Sequence, residues 1–150
     1  MKTVIVILTA AIMSIHFTNA QSKTERPEMG KVCKTYKGEG IYVTTARIGP
    51  EKNNEVLIGI TGVDHRWNGK LFKAKVVKNN ANFDYVIKVD GKDYHIFIYR
   101  ESWNGGYTVY LKDYGGGKVE QRVAYDEWQS KECKPEYLLT EYLEQQEKNK

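Results

Sequence analysis

The sequence predicts a mostly β domain: an antiparallel meander of about seven strands, closing into a barrel or a strongly curled sheet, with a C-terminal α-helix. Three observations predict it. Between residues 40 and 128 the chain is rich in Val, Ile, Tyr and Thr and is broken every eight to twelve residues by Gly, Asn or Pro, the pattern of short antiparallel strands. Asp90-Gly91 stands between two alternating segments, where it favours a two-residue type I′ hairpin turn. After Pro135 the apolar residues recur at spacings of three to five instead of two, which is helical.

The first twenty residues read as a secretory signal peptide. Lys2 gives a positive start, residues 4–15 form an apolar run, and Thr18-Asn19-Ala20 ends it before Gln21. That run is shorter than the ~20 apolar residues of a membrane span. No second long apolar run follows and no Cys stands at position 21, so the expectation is a secreted or periplasmic protein with no membrane span after cleavage. Residues 21–32 are mostly polar and include Pro27 and Gly30; they predict a flexible lead-in. Residues 33–147 then make one domain and 148–150 a tail.

In an exported chain, two cysteines imply a disulfide. Cys33 and Cys133 bracket nearly all of the strand-like sequence, so the bond would tie the start of the domain to its end. Closing a loop of that length is worth roughly 4–5 kcal/mol in the chain-entropy picture.

The expected strands are 40–48, 55–61, 70–78, 83–89, 92–100, 107–112 and 118–126. The Asp90-Gly91 turn fixes a register in which Val89 faces Lys92, Ile87 faces Tyr94, Tyr85 faces Ile96 and Phe83 faces Ile98. Alternation gives the other inward sets: Val56, Ile58 and Ile60; Phe72, Ala74 and Val76; Tyr107, Val109 and Leu111; Val119, Val123 and Tyr125. The opposite, wetter face carries Lys73, Lys75, Lys88, Lys112 and Arg122, with Phe97, Tyr99 and Tyr110 between them. Pro135 and Glu136 suit a helix start. A helix over 135–146 would cover an open end or edge of the sheet with Leu138, Leu139, Tyr142 and Leu143.

Composition limits function. The formal charge is +4, or +3 once Lys2 is removed with the signal, since residues 1–20 hold no other charged residue. That is a weak field for a nucleic-acid binder, and Asp84, Asp93 and Glu120 dilute the basic face. No nucleic-acid partner is expected. No Gly-x-Ser-x-Gly, His-Glu-x-x-His, phosphate-loop or calcium-loop motif is present. Neither a cofactor nor a metal is assigned. His65 and His95 are the histidines left for catalysis, so a hydrolase using one of them is a third-ranked reading behind two binding roles.

The inward Tyr85, Tyr94, Tyr107 and Tyr125, with Phe83, would line a cavity if the barrel holds one, since each buried phenol needs a partner. At one end of the meander, Asp64, His65, Arg66 and Trp67 share a loop, with Tyr114 and the glycines at 115–117 nearby. Arg and Trp are common binding anchors, so this end is the alternative site, for an extracellular protein or glycan. Trp-Asn-Gly occurs at 67–69 and again at 103–105. The meander puts the two copies at opposite ends, so a turn with Trp packed on the rim explains the repeat better than one shared site. Strands followed by a helix, with a staple beside it, are similar in architecture to lipocalin-like carriers. Their early Gly-x-Trp is missing, and Gly40-Ile41-Tyr42 stands in its place, so no family is assigned. The leading expectation is an exported, non-catalytic binding protein for a small apolar or amphipathic ligand.

Overall fold

The fold is a closed eight-stranded antiparallel barrel in strict meander order. It is seen in a computed structural model that describes residues 25–111 and 118–150. The predicted signal peptide, Lys112, Tyr114 and the 115–117 glycines lie outside the described residues. The strands are β1 (Met29–Lys37), β2 (Tyr42–Ile48), β3 (Glu55–Thr61), β4 (Leu71–Asn79), β5 (Asn82–Val89), β6 (Lys92–Arg100), β7 (Gly106–Leu111) and β8 (Val119–Asp126). Two helices follow, α1 (Glu127–Glu132) and α2 (Pro135–Lys148).

Seven strands fall where alternation places them, and β1 is the eighth. Its first residues occupy part of the expected lead-in. Alternation misses it because Lys31, Lys34 and Lys37 interrupt it and its outer face is covered by helices. Cys33 and Thr35 are buried on that outer side, and Tyr36 is buried inside. Within the described part of the lead-in, Arg26 donates to Thr140 Oγ1 at 2.8 Å and to the Glu136 carbonyl at 3.2 Å.

The inward sets from β3, β4 and β7 all enter the main core. Asp90 and Gly91 both have positive φ, 50° and 75°, as the hairpin turn requires. The β5–β6 register holds from Val89↔Lys92 to Val86↔His95 and then slips. Ile96 is an extra residue with no partner, so Tyr85 faces Phe97 and Phe83 faces Tyr99, not Ile96 and Ile98. This β-bulge reverses the alternation beyond it. Phe97 is therefore fully buried and Tyr99 packs on Tyr107 and Phe83, which removes both from the wetter face. Tyr125 departs from expectation in the other direction: its ring touches Tyr36, but it lies at the end of β8 and stays 54% exposed.

The interior is packed with rings. Tyr36 meets Phe97, Tyr107 and Tyr125, and Phe97 stacks on Tyr107. The Tyr36 phenol hydrogen-bonds with those of Tyr85 and Tyr107. Burial first, then the neighbouring phenols, pushes Tyr36 well above the usual phenol range and Tyr85 up to about 12.

α2 lies on the outer wall across β1 to β4 and covers no open barrel end. Leu139 is fully buried with Ile48 and Leu57, flanked by Met29, Leu138, Tyr142 and Leu143. α1 was not expected from periodicity, being only six residues long. Asp126 caps it by accepting from the Gln129 N–H at 2.9 Å. Ser130 accepts from the Thr35 N–H at 2.8 Å, fastening α1 to β1. Cys33 and Cys133 are bonded, with Cα atoms 5.8 Å apart across 100 residues. One glycine is forced by a crossing of loops: Gly62 has φ +81°, and a Cβ there would sit 1.8 Å from the Gly40 carbonyl oxygen.

Because the disulfide closes this long loop, the Cys33→Ser/Cys133→Ser double variant is expected to lose about 2–5 kcal/mol of stability. Urea unfolding followed by circular dichroism measures it, and an unchanged midpoint would contradict the assigned role.

Candidate functional site

The barrel wall is incomplete at one corner, on both sides of the β5–β6 hairpin. The β4–β5 ladder stops at Lys75↔Val86, although β4 begins at Leu71 and β5 continues to Val89. The β6–β7 ladder stops at Phe97↔Val109, leaving Lys92 to Ile96 and Tyr110 to Leu111 without strand pairing to each other. The bulge at Ile96 lies at this second break, and a bulge adds local twist.

Side chains bridge both gaps. The Tyr94 hydroxyl donates to the Tyr110 carbonyl at 2.7 Å. On the other flank the Gln145 amide of α2 meets Leu71: Oε1 accepts from its N–H at 3.0 Å and Nε2 donates to its carbonyl at 2.7 Å. Trp67 sits behind the hairpin, 4% exposed, with its ring against Phe72 and Tyr94.

Each gap opens into a recess. The β6–β7 recess is about 580 Å³ and is lined by Tyr94, Ile98, Tyr110 and Leu111, with Asp93, His95 and Lys118 at its margin. Burial first, then Glu120, raises the Tyr110 phenol above its ordinary value. The other recess, about 990 Å³, lies between β4, β5 and α2 and has a lysine-rich rim.

The residues expected to line a cavity do not act together. Tyr94 reaches the β6–β7 recess. Tyr85, Tyr107 and Phe83 belong to the packed interior, and Tyr125 is at the far end of β8. The expected loop site is also divided. His65 and Trp67 are buried while Asp64 and Arg66 are exposed. His65 Nδ1 accepts from the Trp67 N–H at 3.1 Å, and the Asn68 side chain accepts from the Val63 N–H at 3.2 Å. Trp67 thus packs on the rim, as the turn reading of Trp-Asn-Gly expects. In the second copy Asn104 and Gly105 take positive φ in a turn. Ile98, Tyr110, Leu111 and Gln145 were missed by sequence reasoning, since nothing local marks where a ladder will break.

His95 is paired with a carboxylate. Its Nδ1 lies 2.7 Å from Asp84 Oδ2, and Arg100 bonds the other oxygen of Asp84. Burial acts to raise the Asp84 pKa, but the hydrogen bonds from Arg100 and His95 outweigh it and hold the carboxyl below its ordinary value. Lys88, 2.5 Å from Asp93, lowers the Asp93 carboxyl in the same way. A His–Asp pair is one part of a hydrolytic triad. The Ser130 hydroxyl is committed elsewhere, to Thr35 and Asp126. Among the described residues no group of three or more His, Cys, Asp and Glu is arranged to hold a metal. None of the described helices is long and apolar enough to cross a membrane.

Comparison with protein-family models, with curated proteins and with solved structures finds no match to this chain.

Trp67→Ala removes a buried plug and should cost about 3–5 kcal/mol, whereas Asp64→Ala, at an exposed position of the same loop, should stay within about 0.5 kcal/mol; parallel urea titrations compare them. Asp84 has a folded pKa below its unfolded one, so its contribution is present above ~pH 4, the ordinary carboxyl range. It is lost as pH falls through the folded value. The stability gap between wild type and Asp84→Asn should therefore be full at pH 6 and shrink at pH 3, read from urea midpoints at each pH.

Proposed function

We propose that this protein is an exported, non-catalytic binding protein for a small apolar or amphipathic ligand, held in the barrel wall at the β6–β7 recess. The observation that carries this reading is the interrupted β6–β7 ladder, which leaves an apolar recess where two paired strands would otherwise meet. Its volume lies within the roughly 300–1,000 Å³ of small-molecule sites. The lining suits such a ligand: aliphatic and aromatic surface from Ile98, Leu111 and Tyr94, with an ammonium, a carboxylate and an imidazole at the margin for a polar end. The ring-filled interior favours the wall over the space among Tyr85, Tyr107 and Phe83 as the ligand's position. A disulfide and the absence of a membrane-spanning helix among the described residues accord with an extracellular or periplasmic setting. The protein- or glycan-binding alternative at residues 64–67 is less favoured, because Trp67 is not available at the surface.

The test uses N-phenyl-1-naphthylamine, a neutral apolar probe whose fluorescence rises on leaving water. Wild-type protein should give saturable enhancement that dodecanol displaces. Ile98→Asp puts a charge in the recess and should weaken the probe at least tenfold. Val77→Asp, on the exposed outer face of β4, should bind as wild type. No saturable signal, or equal binding by Ile98→Asp, would refute the proposal.

A further inference from the structure

In an antiparallel ladder the N–H and C=O of one residue point to the same side. Leu71 faces β3 through its pairing with Gly59, and on its β5 side both backbone groups are taken by the Gln145 amide. A primary amide that accepts from and donates to one residue does what a paired strand residue does. Two residues on, Lys73 presents its backbone to the same side, beyond the end of the β4–β5 ladder at Lys75↔Val86. The edge of β4 is thus chemically receptive to a strand over the stretch where β5 has left it.

The surroundings are net positive. Lys70, Lys73, Lys75 and Lys88 line the recess against the carboxylates of Glu55 and Asp93. Those two acids pair with Lys73 and Lys88, and no ion pair engages Lys70 or Lys75 among the described residues. His95, at the margin, is bonded to Asp84.

We infer that the β4 edge beside α2 binds an extended, acidic peptide segment, which pairs with the backbone at Lys73 and sets its carboxylates against Lys70 and Lys75. This is strand addition, in which backbone pairing gives affinity and side chains give selectivity. Gln145 covers the first position of the edge, so it competes with an incoming strand.

Fluorescence anisotropy of a dye-labelled ten-residue peptide alternating Val and Glu tests this at low salt, where surface charge is least screened. Wild type should bind it, and the same peptide N-methylated at every second residue should bind at least tenfold more weakly. Lys70→Glu/Lys75→Glu should also reduce binding at least tenfold, and Gln145→Ala should tighten it severalfold. Four results would overturn the inference: no binding of the acidic peptide, equal binding of an alternating Val and Lys peptide, unchanged or weaker binding by Gln145→Ala, or displacement of the peptide by heparin while N-methylation has no effect. The last would assign the groove to an anionic glycan. None of these outcomes bears on the β6–β7 recess, which the neutral probe tests separately.

Discussion

Closure of the barrel rests on three residue pairs between β1 and β8: Thr35↔Asp126, Tyr36↔Tyr125 and Lys37↔Ala124. So short a ladder needs support, and the chain concentrates it there. Asp126 ends β8 and caps α1. Ser130, one turn later, accepts from the amide of Thr35. Cys133, at the end of α1, is bonded to Cys33, two residues before Thr35. The three links pin the same two strand ends within a few residues. Tyr36, whose outer neighbours are held by these links, is also the centre of the interior ring packing. The staple therefore acts on the closing seam of the sheet as well as on the entropy of the unfolded chain.

How much of this could be read from residues alone depends on whether each signal was local. The Asp90-Gly91 turn and four pairs beyond it were legible, because turn chemistry and alternation agree there. The slip at Ile96 was not, since Ile96, Phe97 and Ile98 are all apolar and alternation through them is ambiguous. That single extra residue decides whether Phe97 and Tyr99 face water or core. β1 was hidden for another reason: its burial comes from α1 and α2, more than ninety residues away in sequence. Trp67 was legible as a rim residue because a turn pair follows it. The two recesses were invisible, as each is made by strands that stop pairing.

The two recesses share one origin. A bulge increases local twist and bends its strand, and among the described residues both flanking ladders end beside it, at Phe97↔Val109 and Lys75↔Val86. Backbone groups freed in this way would cost about 1–3 kcal/mol each if buried without partners. The protein fills part of that loss with side chains, a phenol at Tyr110 and a primary amide at Leu71. The wall can stay open at this corner while the core behind it, Trp67, Ile87 and Ile96, remains buried.

The inward tyrosines show why polar groups in a barrel do not by themselves imply a cavity. A buried phenol needs a partner, and a ligand-filled cavity is one way to supply it. Tyr36, Tyr85 and Tyr107 instead satisfy each other, and no buried side-chain nitrogen or oxygen is left without a partner among the described residues. Tyr94 differs because its hydroxyl is spent across the wall, on the backbone of β7. The same residue type thus fills the interior in three cases and marks the opening in the fourth. What separates them is position relative to the bulge: Tyr94 precedes Ile96, beyond the last β6–β7 pair among the described residues, whereas Tyr85 pairs with Phe97, the residue at which that ladder begins.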